Sequence, residues 1–325
     1  MERKPVKNRN VLVVGGAGFI GSHLTDKLLT EGANQIIIMD NLFIGTKENV
    51  EQALNNGAIL HIDDAENQEA LSYIIEKHDI DIVFNCATKP LNYSFINPSN
   101  TFLTNVVVLK NLLELQLKGQ FQSLCHFSSS EAYGSSKYEP MDEGHPLDPQ
   151  TPYAAGKAAA DLMLRSYVKM FDLDAFIVRP FNNYGPRQNY EGPMAGVIPL
   201  TIKKVLEGDV PEIHGDGEQT RDYIYVEDTV DIALKTFPII SPGESVNIST
   251  GQQLSIKYVV DTIVHVMNYN GNITRKPQRT ADVQSHRAST EKLQTLIGQY
   301  DKTPFKKGIT DTVSWVKTEK ERKET

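Results

Sequence analysis

Cysteine and basic charge are scarce in this chain, and no apolar run is long. Its two cysteines, Cys86 and Cys125, lie in apolar segments without metal-ligand spacing. Cysteine in such a setting is commonly a small buried hydrophobe, so both read as reduced core thiols, and the expected compartment is the cytoplasm. The histidines, among them His23, His61, His126 and His214, show no cluster spacing, and no metal site is expected. A net charge of −8 argues against a nucleic-acid surface, which needs a basic face. The basic start, Arg3, Lys4, Lys7 and Arg9, reads as a solvated, frayed terminus, and the charged tail from Lys317 to Thr325 reads the same way. No stretch approaches the length of an apolar membrane span. The first hydrophobic run, Val11 to Val14, is followed at once by glycines and is not the core of a signal peptide.

What remains is an ordinary enzyme composition, 40% hydrophobic and 23% charged over 325 residues, enough for a large core or two closely joined domains. Short apolar runs at Val11–Val14, Gln35–Asp40, Ile59–Asp63, Ile80–Cys86, Ser123–Ser128 and Ala175–Arg179 read as strands. Helical spacing fills the intervals at Phe19–Glu31, Gln68–Lys77, Pro98–Lys118 and Tyr153–Phe171. The alternation predicts an α/β fold with a Rossmann-like, doubly wound parallel sheet, covering residues 1–180 as a cofactor-binding domain. Residues 181–325 change texture, with Asn-, Gly- and Pro-rich loops, and predict a smaller α/β substrate-binding domain interleaved with the first. Helices are expected there at Val226–Ala233, Ile256–Val266 and Asp311–Glu319.

The glycines Gly15, Gly18 and Gly21, with Phe19 and Ile20 between them, follow a strand and open a helix. In that context the glycines permit a tight turn and bring a helix N-terminus against a diphosphate. Asp40 ends the next strand, 19 positions after Gly21. Its carboxylate would accept hydrogen bonds from an adenosine ribose and repel a 2′-phosphate, and neither Asn41 nor Leu42 supplies an arginine to hold one. NAD is therefore expected over NADP, with Asp63 or Asp64 capping the adenine. Farther on, Tyr153 and Lys157 stand four residues apart, on one helix face. An ammonium held there favours the phenolate, and a tyrosine of lowered pKa is a general base.

Phe127-Ser-Ser-Ser-Glu-Ala-Tyr-Gly134, Tyr153-Ala-Ala-Gly-Lys157, Arg179-Pro-Phe-Asn-Asn-Tyr-Gly185 and Gly215-Asp-Gly-Glu-Gln-Thr-Arg-Asp-Tyr-Ile-Tyr-Val226 complete a set of ordered motifs with the glycine loop. Together they resemble the extended short-chain dehydrogenase/reductase superfamily, and within it the NAD-dependent nucleotide-sugar epimerases and dehydratases. The resemblance implies that Tyr153 is the catalytic base, Lys157 its partner and a nicotinamide-ribose ligand, and Ser129 a hydrogen-bond partner of the reacting sugar hydroxyl. It also implies that Ala87 and Asn105 line the cofactor cleft and that Asn182, Arg221 and Arg279 hold the substrate diphosphate, with Asp282 on the nucleotide ribose. Lys89, Tyr93 and Ser94 are candidate sugar contacts. A homodimer through the helices at Asn105–Leu117 and Tyr153–Phe171 is the family expectation. Plainer readings attach to some members: Ser128 and Ser130 satisfy backbone groups in a turn, and Arg179 pairs with a buried carboxylate.

The shared chemistry of that family starts by oxidising sugar C4 to a ketone. Glu131 then discriminates, because the family's dehydratases and uronate decarboxylases carry a glutamate there and its simple 4-epimerases usually do not. Ser130 departs from the dehydratase pattern, which has an aspartate as the C6 acid. The expectation is a nucleotide-sugar 4,6-dehydratase acting on a UDP-hexose such as UDP-N-acetylglucosamine, with Ser129, Ser130, Glu131, Tyr153 and Lys157 as its catalytic set. A UDP-hexose 4-epimerase is the first alternative and a UDP-glucuronate decarboxylase the second. A nucleotide-sugar-binding protein without turnover is disfavoured by the intact Tyr153, Lys157 and Ser129.

Overall fold

Val11 and Val13 point to one face of the first strand and Leu12 and Val14 to the other, and all four are fully buried. A strand covered on both faces is what the continuous apolar runs require of a parallel sheet. The computed structural model describes residues 3–277 and 284–324. Its centre is a seven-stranded parallel sheet built from β1 (Asn10–Val14), β2 (Gln35–Asp40), β3 (Ile59–Ile62), β4 (Ile82–Asn85), β5 (Ser123–Phe127), β6 (Asp174–Pro180) and the strand Ser245–Ile248. The order is β3-β2-β1-β4-β5-β6, with Ser245–Ile248 outside β6 at the far edge. Chain order therefore reverses between β1 and β4, and in open α/β sheets the crevice at such a switch point is where ligands bind.

Helices α1 (Phe19–Thr30), α2 (Glu51–Asn55), α3 (Gln68–Lys77), α4 (Pro98–Leu117) and α5 (Pro152–Phe171) fill the crossovers. Leu24 and Leu28 of α1 pack on the face that carries Val11 and Val13; Leu71, Leu112 and Leu164 of α3, α4 and α5 pack on the other. The starts of these helices are written locally. Asn67 caps α3 by accepting from Glu69 N and Ala70 N, and Asn97 and Thr151 cap α4 and α5 just ahead of prolines.

A second core lies beyond the sheet, where Tyr184, Ile198, Ile202, Tyr223, Val259, Ile263, Ile309 and Val313 come together. Helix α6 (Val197–Glu207) and the helices Ile256–Val266 and Phe305–Glu324 supply most of it. The closing helix is longer at both ends than its apolar spacing suggests. Its charged tail is helical rather than frayed: Lys323 pairs with Glu191 at 2.6 Å and Arg322 with Glu51 at 3.3 Å. The basic start departs from expectation too. Arg3 is buried, bonded to Asp174 from Nε at 2.9 Å, and its guanidinium lies 4.4 Å from the centre of the Phe176 ring.

Candidate active site

The turn from β1 into α1 runs against the end of β4. Gly15 has φ +74°, and a Cβ there would stand 2.7 Å from Ala87 Cα, so only glycine allows both the turn and the approach. Gly18 is the N-cap of α1 and offers no capping side chain, which leaves the first-turn N–H groups of a 12-residue helix to an anion. Gly15, Gly18, Phe19, Ile20 and Gly21 line one wall of the groove at the switch point, and Asp40, Asn41, Asp63 and Asp64 line one end.

Asp40 accepts from Ala17 N at 2.9 Å and Leu42 N at 2.8 Å, so its carboxylate is fixed facing the groove. Burial raises its pKa, against the backbone hydrogen bonds that lower it. Asn41 donates to Asp64 Oδ2 at 2.9 Å, and Asp63 Oδ1 accepts from Asp64 N at 2.8 Å, so both aspartates shape their turn while lining the groove. A free helix start beside a ribose-reading carboxylate fits an unphosphorylated dinucleotide.

Ala87 lines the groove, but Asn105 does not. Its amide donates to Thr101 O at 3.1 Å and accepts from Thr88 Oγ1 at 2.7 Å, so it reaches the site through Thr88. Lys89 lines the groove: its ammonium lies 3.7 Å from the centre of the Phe43 ring, in the groove wall. Tyr93 packs edge-on against the same ring at 5.0 Å. Ser94 instead accepts from Tyr153 N at 3.1 Å and pins the start of α5.

Tyr153 sits in the first turn of α5, after the Thr151–Pro152 start. Gly156 lets this turn press onto α4, since a Cβ there would meet Phe102 O at 2.7 Å. The phenol is hydrogen-bonded by Ser129 and Thr88, yet burial pushes it up to about 12, with the Glu131 carboxylate adding to the rise. This corrects the expectation drawn from spacing alone. Lys157 is fully buried, its Nζ donates to Phe127 O at 2.8 Å, and burial lowers it to about 8. The hydrogen bonds from Ser129 and Thr88 are the foremost influences lowering Tyr153. Desolvation dominates the pair, and the protein alone holds the base neutral.

Asp161, one turn beyond Lys157, opposes the fall of the lysine pKa. It is itself fully buried, paired with Arg179 Nη2 at 2.6 Å and accepting from Ser128 Oγ at 2.8 Å. Ser128 thus serves a carboxylate rather than the backbone. Arg179 also donates to Tyr133 OH at 2.6 Å, and Tyr133 to Asn247 Oδ1 at 2.9 Å, which ties α5, β6 and the edge strand behind the site.

The second pocket adjoins the groove. Ser129, Ser130, Glu131, Tyr153 and Asn182 line it together. Ser129 Oγ accepts from Glu131 N at 3.2 Å and so orients the short turn that carries the glutamate. Arg221 lies outside this lining, buried on its strand with Nη1 on Thr220 O at 2.9 Å. Arg279 and Asp282 fall outside the described residues. Residues absent from the expected set also line the site, among them Thr88 on the cofactor side, and Gln188, Met194 and Gly196 on both sides. Thr88 follows Ala87 directly and was findable by its place after β4; the other three sit in a loop with no periodic signal.

Oxidising an alcohol requires a hydride acceptor and a proton acceptor side by side, and here the groove and the Tyr153 pocket share a wall. The molecule is of the dinucleotide-dependent class that acts on a hydroxyl. Residues 11–249 match the model of the NAD dependent epimerase/dehydratase family, and the chain belongs to that family. It is 31% identical to UDP-glucuronic acid decarboxylase 1 of Xenopus tropicalis over 96% of this chain and 73% of that one. It is 30% identical to UDP-glucose 4-epimerase of Mycolicibacterium smegmatis over 94% of this chain and 97% of that one. Among solved structures it superposes with TM-score 0.90 and 26% identity on DesIV, a dTDP-glucose 4,6-dehydratase of Streptomyces venezuelae with NAD bound, covering 96% and 98% of the two chains. The cofactor is NAD. The relatives span three reactions, so likeness alone does not choose between them.

Proposed function

We propose that this protein is a nucleotide-sugar 4,6-dehydratase acting on a neutral UDP-hexose such as UDP-N-acetylglucosamine. One observation carries the reading: Glu131 lines the sugar pocket close enough to Tyr153 to raise the phenol's pKa. A carboxylate beside a base works against that base, and an epimerase, which only turns its ketone over, has no use for one. A dehydratase does, because the C4 ketone makes the C5 proton acidic and a base must remove it. The described lining holds no lysine or arginine. A uronate carboxylate would find no cation to pair with in that described lining, so decarboxylation ranks behind dehydration. Both sequence relatives are named for UDP-linked sugars, which supports UDP over other nucleotides.

NAD held by Gly15, Gly18, Phe19, Ile20, Gly21 and Asp40 would supply the hydride acceptor for C4 and the hydride donor for C6. Tyr153 takes the C4 hydroxyl proton, while Ser129, bonded to the phenol, aligns that hydroxyl. Lys157 lies in the helix turn beneath, its Nζ on Phe127 O at 2.8 Å, and would be the ligand of the nicotinamide ribose that the resemblance implies. Glu131 then removes the C5 proton. Ser130 is buried and its hydroxyl is too weak an acid to protonate the leaving group. Glu131 is the one carboxylate in the described lining, so the acid formed there hands its proton to the C6 hydroxyl as C6–O breaks and C5=C6 forms, and once hydride reaches C6 the resulting C5 enolate takes the proton that Tyr153 holds. One group acts as base and then acid.

The test is product mass from a panel of UDP-sugars incubated with the enzyme. Loss of water supports this reading; loss of carbon dioxide, or an unchanged mass with a new sugar spectrum, replaces it with decarboxylation or 4-epimerisation. Glu131→Gln is expected to stop water loss while transient NAD reduction persists. Unimpaired dehydration in that variant removes Glu131 from the mechanism. A homodimer completes the proposal, since Leu103 and Leu117 of α4 and Leu162 and Met170 of α5 are exposed apolar residues that a second copy would cover.

A further inference from the structure

Gln188, Met194 and Gly196 each line both the NAD groove and the sugar pocket, so the segment 186–196 is the one stretch of described chain after α5 that touches the two at once. Its far end is tied by Asn92, whose Nδ2 donates to Ala195 O at 3.1 Å. Its near end is tied to α1. His23 Nε2 lies 3.0 Å from Pro186 O, and Arg187 Nη2 lies 2.6 Å from Asp26 Oδ2. Burial and the neighbouring Arg187 lower His23 to about 4, so near neutral pH it is uncharged and donates to that carbonyl as a neutral ring. Arg187 holds a left-handed backbone, φ +66°, which a non-glycine residue adopts at a cost. The cost is accepted where the side chain must point at α1. His23 and Asp26, three residues apart, share one face of that helix. The first turn of the same helix lines the groove that would take the cofactor diphosphate.

We propose that Asp26 and Arg187 are positioning residues, a latch that fixes the 186–196 segment to the cofactor's own helix, so that NAD is retained through turnover while the sugar nucleotide exchanges. The inference rests on the sugar pocket assigned above, and on NAD as the cofactor. A cofactor reduced and reoxidised within each cycle must not leave while the sugar does. Anchoring the shared wall to α1 rather than to the outer lobe keeps that wall with the dinucleotide. Lys323 on Glu191 holds the segment's middle to the outer lobe, so that loss of the latch would let the shared wall move with the lobe.

The experiment is exchange of bound NAD for isotopically labelled NAD in the full-length holoenzyme, for the parent, Asp26→Asn and Arg187→Gly. Asparagine keeps the shape of the partner without its charge. Glycine accepts the left-handed backbone and removes only the side chain, so strain and ion pairing are separated. Both variants are expected to release NAD about tenfold faster, the effect of one charge-assisted hydrogen bond, to raise KM for the UDP-sugar with kcat within about twofold, and to keep the parent's melting temperature after saturation with NAD. The exchanged pair, Asp26→Arg with Arg187→Asp, is expected to restore retention to within about threefold. Parent-like NAD release in both single variants overturns the latch. So does a swap that recovers nothing while the single variants are impaired. A parent that holds no NAD overturns the cofactor assignment and the latch with it, whereas a parent that holds NAD but turns over no UDP-sugar leaves the exchange result to decide the latch alone.

Discussion

Lys157 is a stability liability whose size can be worked from its surroundings. Burial lowers its pKa from 10.5 to about 8. The unfolded chain therefore binds the proton more tightly than the folded one, and between about pH 8 and 10.5 the unfolded state carries more protons. Stability from this group rises with pH across that window: the penalty is fully present below about 8 and gone above 10.5. The shift corresponds to about 3 kcal/mol. Replacing the residue by methionine, Lys157→Met, removes the penalty but strands Phe127 O, which accepts from Nζ at 2.8 Å. An unmet buried carbonyl costs about 1–2 kcal/mol. The variant should thus be more stable than the parent by about 1–2 kcal/mol at pH 7 and less stable by a similar amount above pH 10, where the neutral lysine keeps its hydrogen bond at no charge penalty. The assay is urea denaturation of NAD-free protein at pH 7, 8.5 and 10, because bound NAD would add its own stabilisation to the folded state. A difference that keeps one sign and one size across that range refutes the reasoning.

Two further outcomes follow from single contacts. Gly156→Ala puts a methyl 2.7 Å from Phe102 O, so α5 must lift from α4; thermal melting should show a loss of about 1–3 kcal/mol, and kcat should fall with it, while a parent-like melt would mean the helices are free to slide. Asp40→Asn removes the charge that faces the cofactor ribose, so the ratio of NADP to NAD dissociation constants by calorimetry should fall about tenfold. Because burial raises the Asp40 pKa, the parent should also lose discrimination as pH falls toward that pKa, and a flat ratio in both tests would move cofactor choice elsewhere.

The parts of the site legible in the sequence are those fixed by short-range rules. A glycine triplet between a strand and a helix, an aspartate at the next strand end, and a tyrosine and lysine one turn apart each need only local spacing, and the fold sets them around one crevice. The surroundings of Lys89 were not legible because sequence neighbourhood says which turn a side chain leaves, not which of two adjoining pockets it enters; here its ammonium lies over Phe43 in the groove wall. Arg3 reads as terminus because its partner Asp174 is 171 residues away. The 186–196 segment has no periodicity, and its importance comes from lying between two pockets that only the folded chain brings together. The Tyr153 pKa failed for a different reason. Helix spacing reports that a charge is near, while burial, which outweighs it, is a property of the whole core.

That failure bears on when the base is switched on. The phenol is raised to about 12 by burial, with Glu131 adding to the rise, and the hydrogen bonds from Ser129 and Thr88 do not offset it. Lys157, drawn down to about 8 and engaged with Phe127 O, is close to losing its proton at the pH where it would be needed as a cation. Asp161 holds it up, but Asp161 also raises Tyr153, so the same carboxylate that preserves the cation works against the anion. Positive charge entering the groove beside Tyr153 would lower the phenol's pKa, and the oxidised dinucleotide would carry such a charge while the reduced form would not. Proton removal from the sugar would thereby be tied to the redox state that can accept its hydride.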